Sequence, residues 1–153
     1  MNILFLVPMH ITFGTFTNPD DNQRTCWKQD GRFYNLPPTD LPLGILSISA
    51  FLKKYVDVVV ELLDFNVEAV TCATFAYDSF FAFARDRLSQ LDFKPDLIGI
   101  SCLFSPAFQN FMETGQAARQ VFADAIIIGG GNIPTSAWQE IWRGGGGGGG
   151  GGG

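Results

Sequence analysis

Four short stretches of this chain are predominantly apolar. Ile3–Val7 stops at Pro8, and Val56–Leu63 stops at Asp64-Phe65-Asn66. Leu97–Ile100 follows the Pro95-Asp96 break, and Ala125–Ile128 runs into glycine. Short apolar runs with no polar face suit strands buried on both sides, as in a parallel sheet. Between them the spacing changes to that of amphipathic helices. Pro42–Tyr55 puts Leu43, Leu46 and Ala50 on one face, Ile45, Ile48 and Leu52 on the next, and Lys53-Lys54 at its C-terminal end. Tyr77–Leu91 carries Phe81, Ala84, Leu88 and Leu91 at helical spacing. Pro106–Phe122 turns Phe108, Phe111, Ala118 and Val121 or Phe122 inward, and Pro134–Arg143 begins one more helix.

The order is βαβαβαβα. It predicts an α/β fold, a flavodoxin-like parallel sheet with right-handed crossovers and helices on both faces. The series ends one βα unit short of five strands, so one sheet edge is expected to be open. Residues 9–40 have no sustained period but hold Phe13, Phe16, Trp27, Phe33 and Tyr34. A segment that long between elements is usually functional or disordered, and its aromatics predict a folded lid over the edge where the first strand ends. These rings either cover a bound ligand or pack as a small core. Gly144–Gly153 has no side chain to bury. It is excluded as a linker, a tag or unassigned positions, leaving 1–143 as one domain.

At 46% hydrophobic residues with 15 Phe, that domain can bury a core. The net charge of −5 and the absence of a basic run argue against nucleic-acid or anionic-membrane binding. No apolar stretch approaches the ~20 residues of a membrane span. Met1 leads directly into the first strand with no signal-peptide pattern. Cys26, Cys72 and Cys102 are odd in number and scattered, which predicts a reducing cytosol and neither disulfides nor structural zinc.

Ligands of open α/β sheets sit beyond the carboxyl ends of the strands. Two such ends are distinctive, Ser101-Cys102-Leu103 and Gly129-Gly130-Gly131-Asn132. A hydroxyl there can hydrogen-bond a ligand, and glycines let backbone approach a flat ring. The same residues equally suit a strand end and a tight turn. Asp64-Phe65-Asn66 either touches a ligand or caps the next segment. Cys102 has no basic partner nearby in sequence and reads as a buried, inert thiol. VPMHITFG replaces the G-x-G-x-x-G of a dinucleotide site. The acidic residues of a phosphoacceptor domain are also missing, with Pro8-Met9 and Ser101 in their places.

ILFLVP, LPLGILSISAFLKK, DLIGISCLF and IIIGGGNIPT, in this order and spacing, resemble the cobalamin-binding domain at the N-terminus of cobalamin-dependent radical-SAM enzymes. The resemblance implies cobalamin as cofactor, with Ser101, Leu103, Gly130, Gly131, Asn132, Pro134 and Thr135 lining the groove for its nucleotide tail. It also implies a downstream catalytic domain as partner, holding an iron–sulfur cluster and S-adenosylmethionine for methyl transfer or radical rearrangement. No C-x-x-x-C-x-x-C occurs in this chain, so that chemistry lies elsewhere and no catalytic residue is assigned. Relatives that ligate cobalt carry D-x-H-x-x-G after the first strand. Here the place reads Pro8-Met9-His10-Ile11-Thr12-Phe13-Gly14, with Pro8 where Asp would orient the ring. His10 is therefore expected to be a structural loop histidine; no metal ligand is assigned, and His10, the one histidine of the chain and at the matching strand end, stays only a weak candidate. The competing expectation is a flavodoxin-like interaction module without cofactor.

Overall fold

The computed structural model describes residues 1–19, 24–136 and 138–139. In chain order the elements begin with β1 (Asn2–Val7), α1 (Phe13–Thr17), β2 (Thr25–Trp27), β3 (Phe33–Asn35), α2 (Leu43–Tyr55) and β4 (Val59–Asp64). They continue with α3 (Phe65–Thr71), α4 (Phe80–Ser89), β5 (Leu97–Ser101), a 3-10 turn (Ser105–Ala107), α5 (Phe108–Val121), β6 (Ile126–Gly130) and α6 (Asn132–Ser136). The four predicted strands form one parallel sheet in the order β4-β1-β5-β6. This is the flavodoxin-like α/β arrangement. The chain order reverses between β1 and β5, which places the switch point at their carboxyl ends.

Side-chain alternation divides the core in two. Leu4, Leu6, Ile98 and Ile100 face α4 and α5 in the larger cluster, with Phe65, Phe80, Phe83, Phe111, Ala117 and Ala118. Ile3, Phe5 and Val7 face α2, whose one fully buried residue is Ile45. Of the two predicted inward faces of α2, only the one containing Ile45 and the half-buried Leu52 meets the sheet; Leu43, Leu46 and Ile48 are exposed. The α2 side is sparsely covered, and Ile126 and Ile128 of β6 lie open on it.

Several boundaries move for local reasons. Helix α4 starts at Phe80, because Ser79 accepts a hydrogen bond from the Ala82 N–H and caps it. The expected start at Tyr77 thus falls in the preceding loop. Helix α3 was not anticipated. It forms because the Asp64 carboxylate accepts from the Asn66 N–H at 2.8 Å, which turns the strand end into a helix cap. On α5 the buried face includes Asn110 and Thr114, polar positions that the apolar spacing passes over. Helix α6 begins two residues before Pro134, and the predicted continuation through residues 140–143 lies outside the described residues, as does the glycine tract.

The insert between β1 and α2 is folded. Antiparallel β2 and β3 pair Cys26 with Tyr34 and Trp27 with Phe33. Phe16 and Tyr34 are buried and pack on Phe75, with ring centroids 4.9 and 5.4 Å away. Trp27 and Phe33 are exposed. These described aromatics divide between a small core and the surface. Lys28 is buried because its ammonium donates to the Val70 and Cys72 carbonyls at the end of α3, a favourable place for a cation.

Candidate functional site

A groove of about 330 Å³ opens on the α2 side of the sheet at the carboxyl ends of β5 and β6. Pro42, Gly44, Ile45 and Ile48 of α2 form one wall; Ile128, Gly130 and Gly131 form the other. Phe5, Gly99, Ser101 and Leu103 lie between them. Strand register builds the groove in tiers. Phe5 stands opposite Gly99, and Gly99 opposite Ile128; two residues nearer the carboxyl end, Ser101 stands opposite Gly130. The lower tier is filled, since a Cβ on Gly99 would meet the Phe5 ring at 2.7 Å. The upper tier is empty above Gly130. Ser101 supplies the one polar side chain of the lining, and its hydroxyl makes no hydrogen bond among the described residues.

The adjacent glycines do different work. At Gly130 a Cβ would meet nothing within 4 Å, so the missing side chain leaves open groove. At Gly131 the backbone has φ of 99°, and a Cβ would come within 2.6 Å of the Cys102 carbonyl oxygen. That position serves the turn into α6.

The B12-binding domain family model matches residues 39–148, from just before α2 past α6 and into the glycine tract. The chain belongs to the B12-binding domain family. Searches of curated proteins and of solved structures returned no match. Of the residues expected to line the site of this B12-binding domain, Ser101, Leu103, Gly130 and Gly131 come together around the groove. Asn132, Pro134 and Thr135 are not in its lining. Pro134 is buried on the opposite face, 3.9 Å from where a Gly129 Cβ would stand, and the Thr135 hydroxyl donates to the Gly131 carbonyl at 2.7 Å. Phe5, Gly99, Ile128 and the first turn of α2 were not foreseen as lining. The period-2 pattern placed Phe5 and Ile128 on some sheet face, but the strand order that juxtaposes them is tertiary.

At the switch point the B12-binding domain holds its β1 loop with two buried amides. Asn66 accepts from the His10 N–H at 2.7 Å and donates to the Pro8 carbonyl. Asn110 donates to the Met9 and Ile11 carbonyls at 2.8 and 2.7 Å. Both are buried, and each anchors backbone that no sheet partner reaches. Asn66, an open choice in sequence, is thus committed to the loop; Asn110 carried no sequence signal. The imidazole of His10 packs edge-on to Phe104 at 4.9 Å, and its Nδ1 lies 3.1 Å from the Pro38 carbonyl. A carbonyl only accepts, so Nδ1 is the donor of this bond. This bond closes the insert from residue 10 to residue 38.

Cys102 is buried, its thiol raised above the ordinary value chiefly by desolvation, with Sγ 3.7 Å from the Phe104 carbonyl. Burial and the raised thiol both disfavour the thiolate that a nucleophile needs. Among the described residues no cluster of His, Cys, Asp or Glu could hold a metal ion, and no helix is long and apolar enough to cross a membrane. A second cavity, of about 340 Å³, lies between the insert and the 75–78 segment and shares no residue with the groove. Its Asp30 and Tyr34 already bond each other at 2.6 Å.

Proposed function

We propose that the groove between α2 and the ends of β5 and β6 seats the nucleotide tail of cobalamin. The chain is the cofactor-carrying part of a cobalamin-dependent radical-SAM enzyme. The observation that carries the tail seat is the open space at Gly130 beside the unbonded hydroxyl of Ser101. The fit is good: an apolar slot, open at Gly130 on one wall, with a single hydrogen-bonding side chain at its mouth. Ser101 would donate to or accept from the tail, Leu103 would cover it, and Gly130 would give it room. Asn132 and Thr135 would meet the cofactor only from the rim, and Pro134 supports the strand end from behind. Bound cobalamin supplies a cobalt that carries and releases an alkyl group. The iron–sulfur and S-adenosylmethionine chemistry, absent from these residues, belongs to a partner domain. Three unpaired cysteines are in keeping with the reducing cytosol such a cofactor system uses.

The test is cobalamin titration of the full chain, followed by absorbance, with unfolding curves for each variant. Gly130→Val is expected to fold as wild type and to weaken binding tenfold or more, because the new side chain occupies the slot. Ser101→Ala removes a hydrogen bond worth about 0.5–1.5 kcal/mol and is expected to weaken binding by between about twofold and tenfold. Wild-type affinity in both folded variants would place the tail elsewhere. No binding by the wild-type chain would favour the cofactor-free interaction module.

His10 remains a loop histidine in this proposal, occupied in closing the insert. A second reading rests on its Pro38 bond, since the carbonyl takes the orienting role an aspartate would have and leaves Nε2 free. Electron paramagnetic resonance of the cob(II)alamin-loaded chain separates the two. Spectra of wild type and His10→Ala are expected to be the same; nitrogen splitting lost only in the mutant would make His10 the cobalt ligand.

A further inference from the structure

The lower tier of the groove shows what the tail should look like. The Phe5 ring lies against Gly99 and closes the slot from below. Ile45, Ile48 and Ile128 complete walls with no polar side chain at this level, and the lone hydroxyl, Ser101, sits one tier nearer the mouth. Phe5 is buried, so the floor of the slot is a packed apolar ring. A flat base pushed into this slot would lay its outer edge on Phe5 and Ile128. An edge of C–H and methyl groups loses nothing there. Ring nitrogens and an exocyclic amine would be stripped of water without a partner side chain to replace it.

We infer that Phe5 and Ile128 make this groove selective among cobamides for an apolar, benzimidazole-type lower base over a purine. The inference rests on the groove being the seat of the tail, and its test keeps the two apart. The full chain is titrated with dimethylbenzimidazolyl, benzimidazolyl and adeninyl cobamides, for wild type, Gly130→Val and Ile128→Thr, each checked for folding by its melting curve. The adeninyl form is expected to bind at least about tenfold more weakly than either benzimidazolyl form. Ile128→Thr puts a donor and acceptor at a half-exposed strand position of good β propensity. It is expected to narrow that gap to within about threefold. Equal wild-type affinities, with Gly130→Val still weakening all three, would overturn the selectivity and leave the tail seat standing. Binding of all three untouched by Gly130→Val would overturn the seat, and the selectivity with it.

Discussion

Gly130 and Gly131 show how far one residue type is from one role. The pair reads as a unit, because glycine at a strand end serves a turn and a ligand equally well. Backbone angle and Cβ environment separate them: Gly131 has φ of 99° and sits against the Cys102 carbonyl, while Gly130 faces open groove. Any side chain at Gly131 meets both a disfavoured backbone region, at about 1–2 kcal/mol, and a backbone oxygen that cannot swing aside. Gly131→Ala is therefore expected to lower stability in urea unfolding by more than about 1 kcal/mol. Gly130→Ala should leave the midpoint near wild type. Equal losses at both positions would contradict this assignment. Ser101 was legible as a candidate because a polar group at the end of a buried strand needs a reason, and it lines the groove; Asn110 was not legible, because its partners are carbonyls about a hundred residues away in sequence.

At the scale of elements, the insert is held by side chains that titrate. The Tyr34 hydroxyl donates to Asp30 at 2.6 Å and approaches the Phe75 carbonyl, and that of Tyr77 donates to Asp86 at 2.6 Å. Burial first, and the neighbouring carboxylate second, push both phenols from an ordinary value of 10 up to about 12. Between these values the unfolded chain has lost protons that the folded chain keeps, so stability falls as pH rises. The contribution is complete below about pH 10 and gone above about pH 12. The melting temperature is expected to drop steeply across this alkaline window, and less steeply in Tyr34→Phe and Tyr77→Phe. A slope unchanged in both variants would remove the tyrosines from the account. The aromatic content of residues 9–40 pointed to a folded insert. Its hairpin and the division between Phe16 and Tyr34 inside and Trp27 and Phe33 outside depend on Phe75, which arrives from another part of the chain.

For the whole molecule the sheet edge matters most. Among the described residues β6 pairs only with β5. The other edge strand, β4, contains Glu61 and ends at Asp64, while β6 is IIIGG with no charge. Ile126 is 63% exposed and Ile128 49%, and Phe51 of α2 is 63% exposed. An uncharged edge beside an apolar face is a template for pairing. Each large apolar side chain left uncovered forgoes roughly 1.5–3 kcal/mol, against total stabilities of about 5–15 kcal/mol. The chain is expected to be marginally stable and to associate with rising concentration in light scattering, and Ile126→Lys should suppress the association. A monomer at all concentrations with a sharp, high-temperature transition would refute this.

The sequence by itself determined the elements that depend on neighbours in the chain. Apolar runs too short for helices had to be strands, and their alternation with helices left little but a parallel sheet, because parallel neighbours need a crossover. That logic located Ser101 and the glycine strand end, and order and spacing of motifs pointed to cobalamin. Tertiary structure decided what depends on residues far apart in sequence. The groove exists because strand order sets Phe5, Gly99 and Ile128 in one tier. Gly130 is open and Gly131 closed because the Cys102 carbonyl of β5's exit loop stands where a Cβ on Gly131 would be, and nothing stands where one on Gly130 would be. His10 is held by Pro38, Asn66 fixes the backbone of its loop, and Phe5 became the floor of a groove when β1 came to lie beside β5. A period of two assigns a side chain to a face of a strand; only the pairing of strands says what that face encloses.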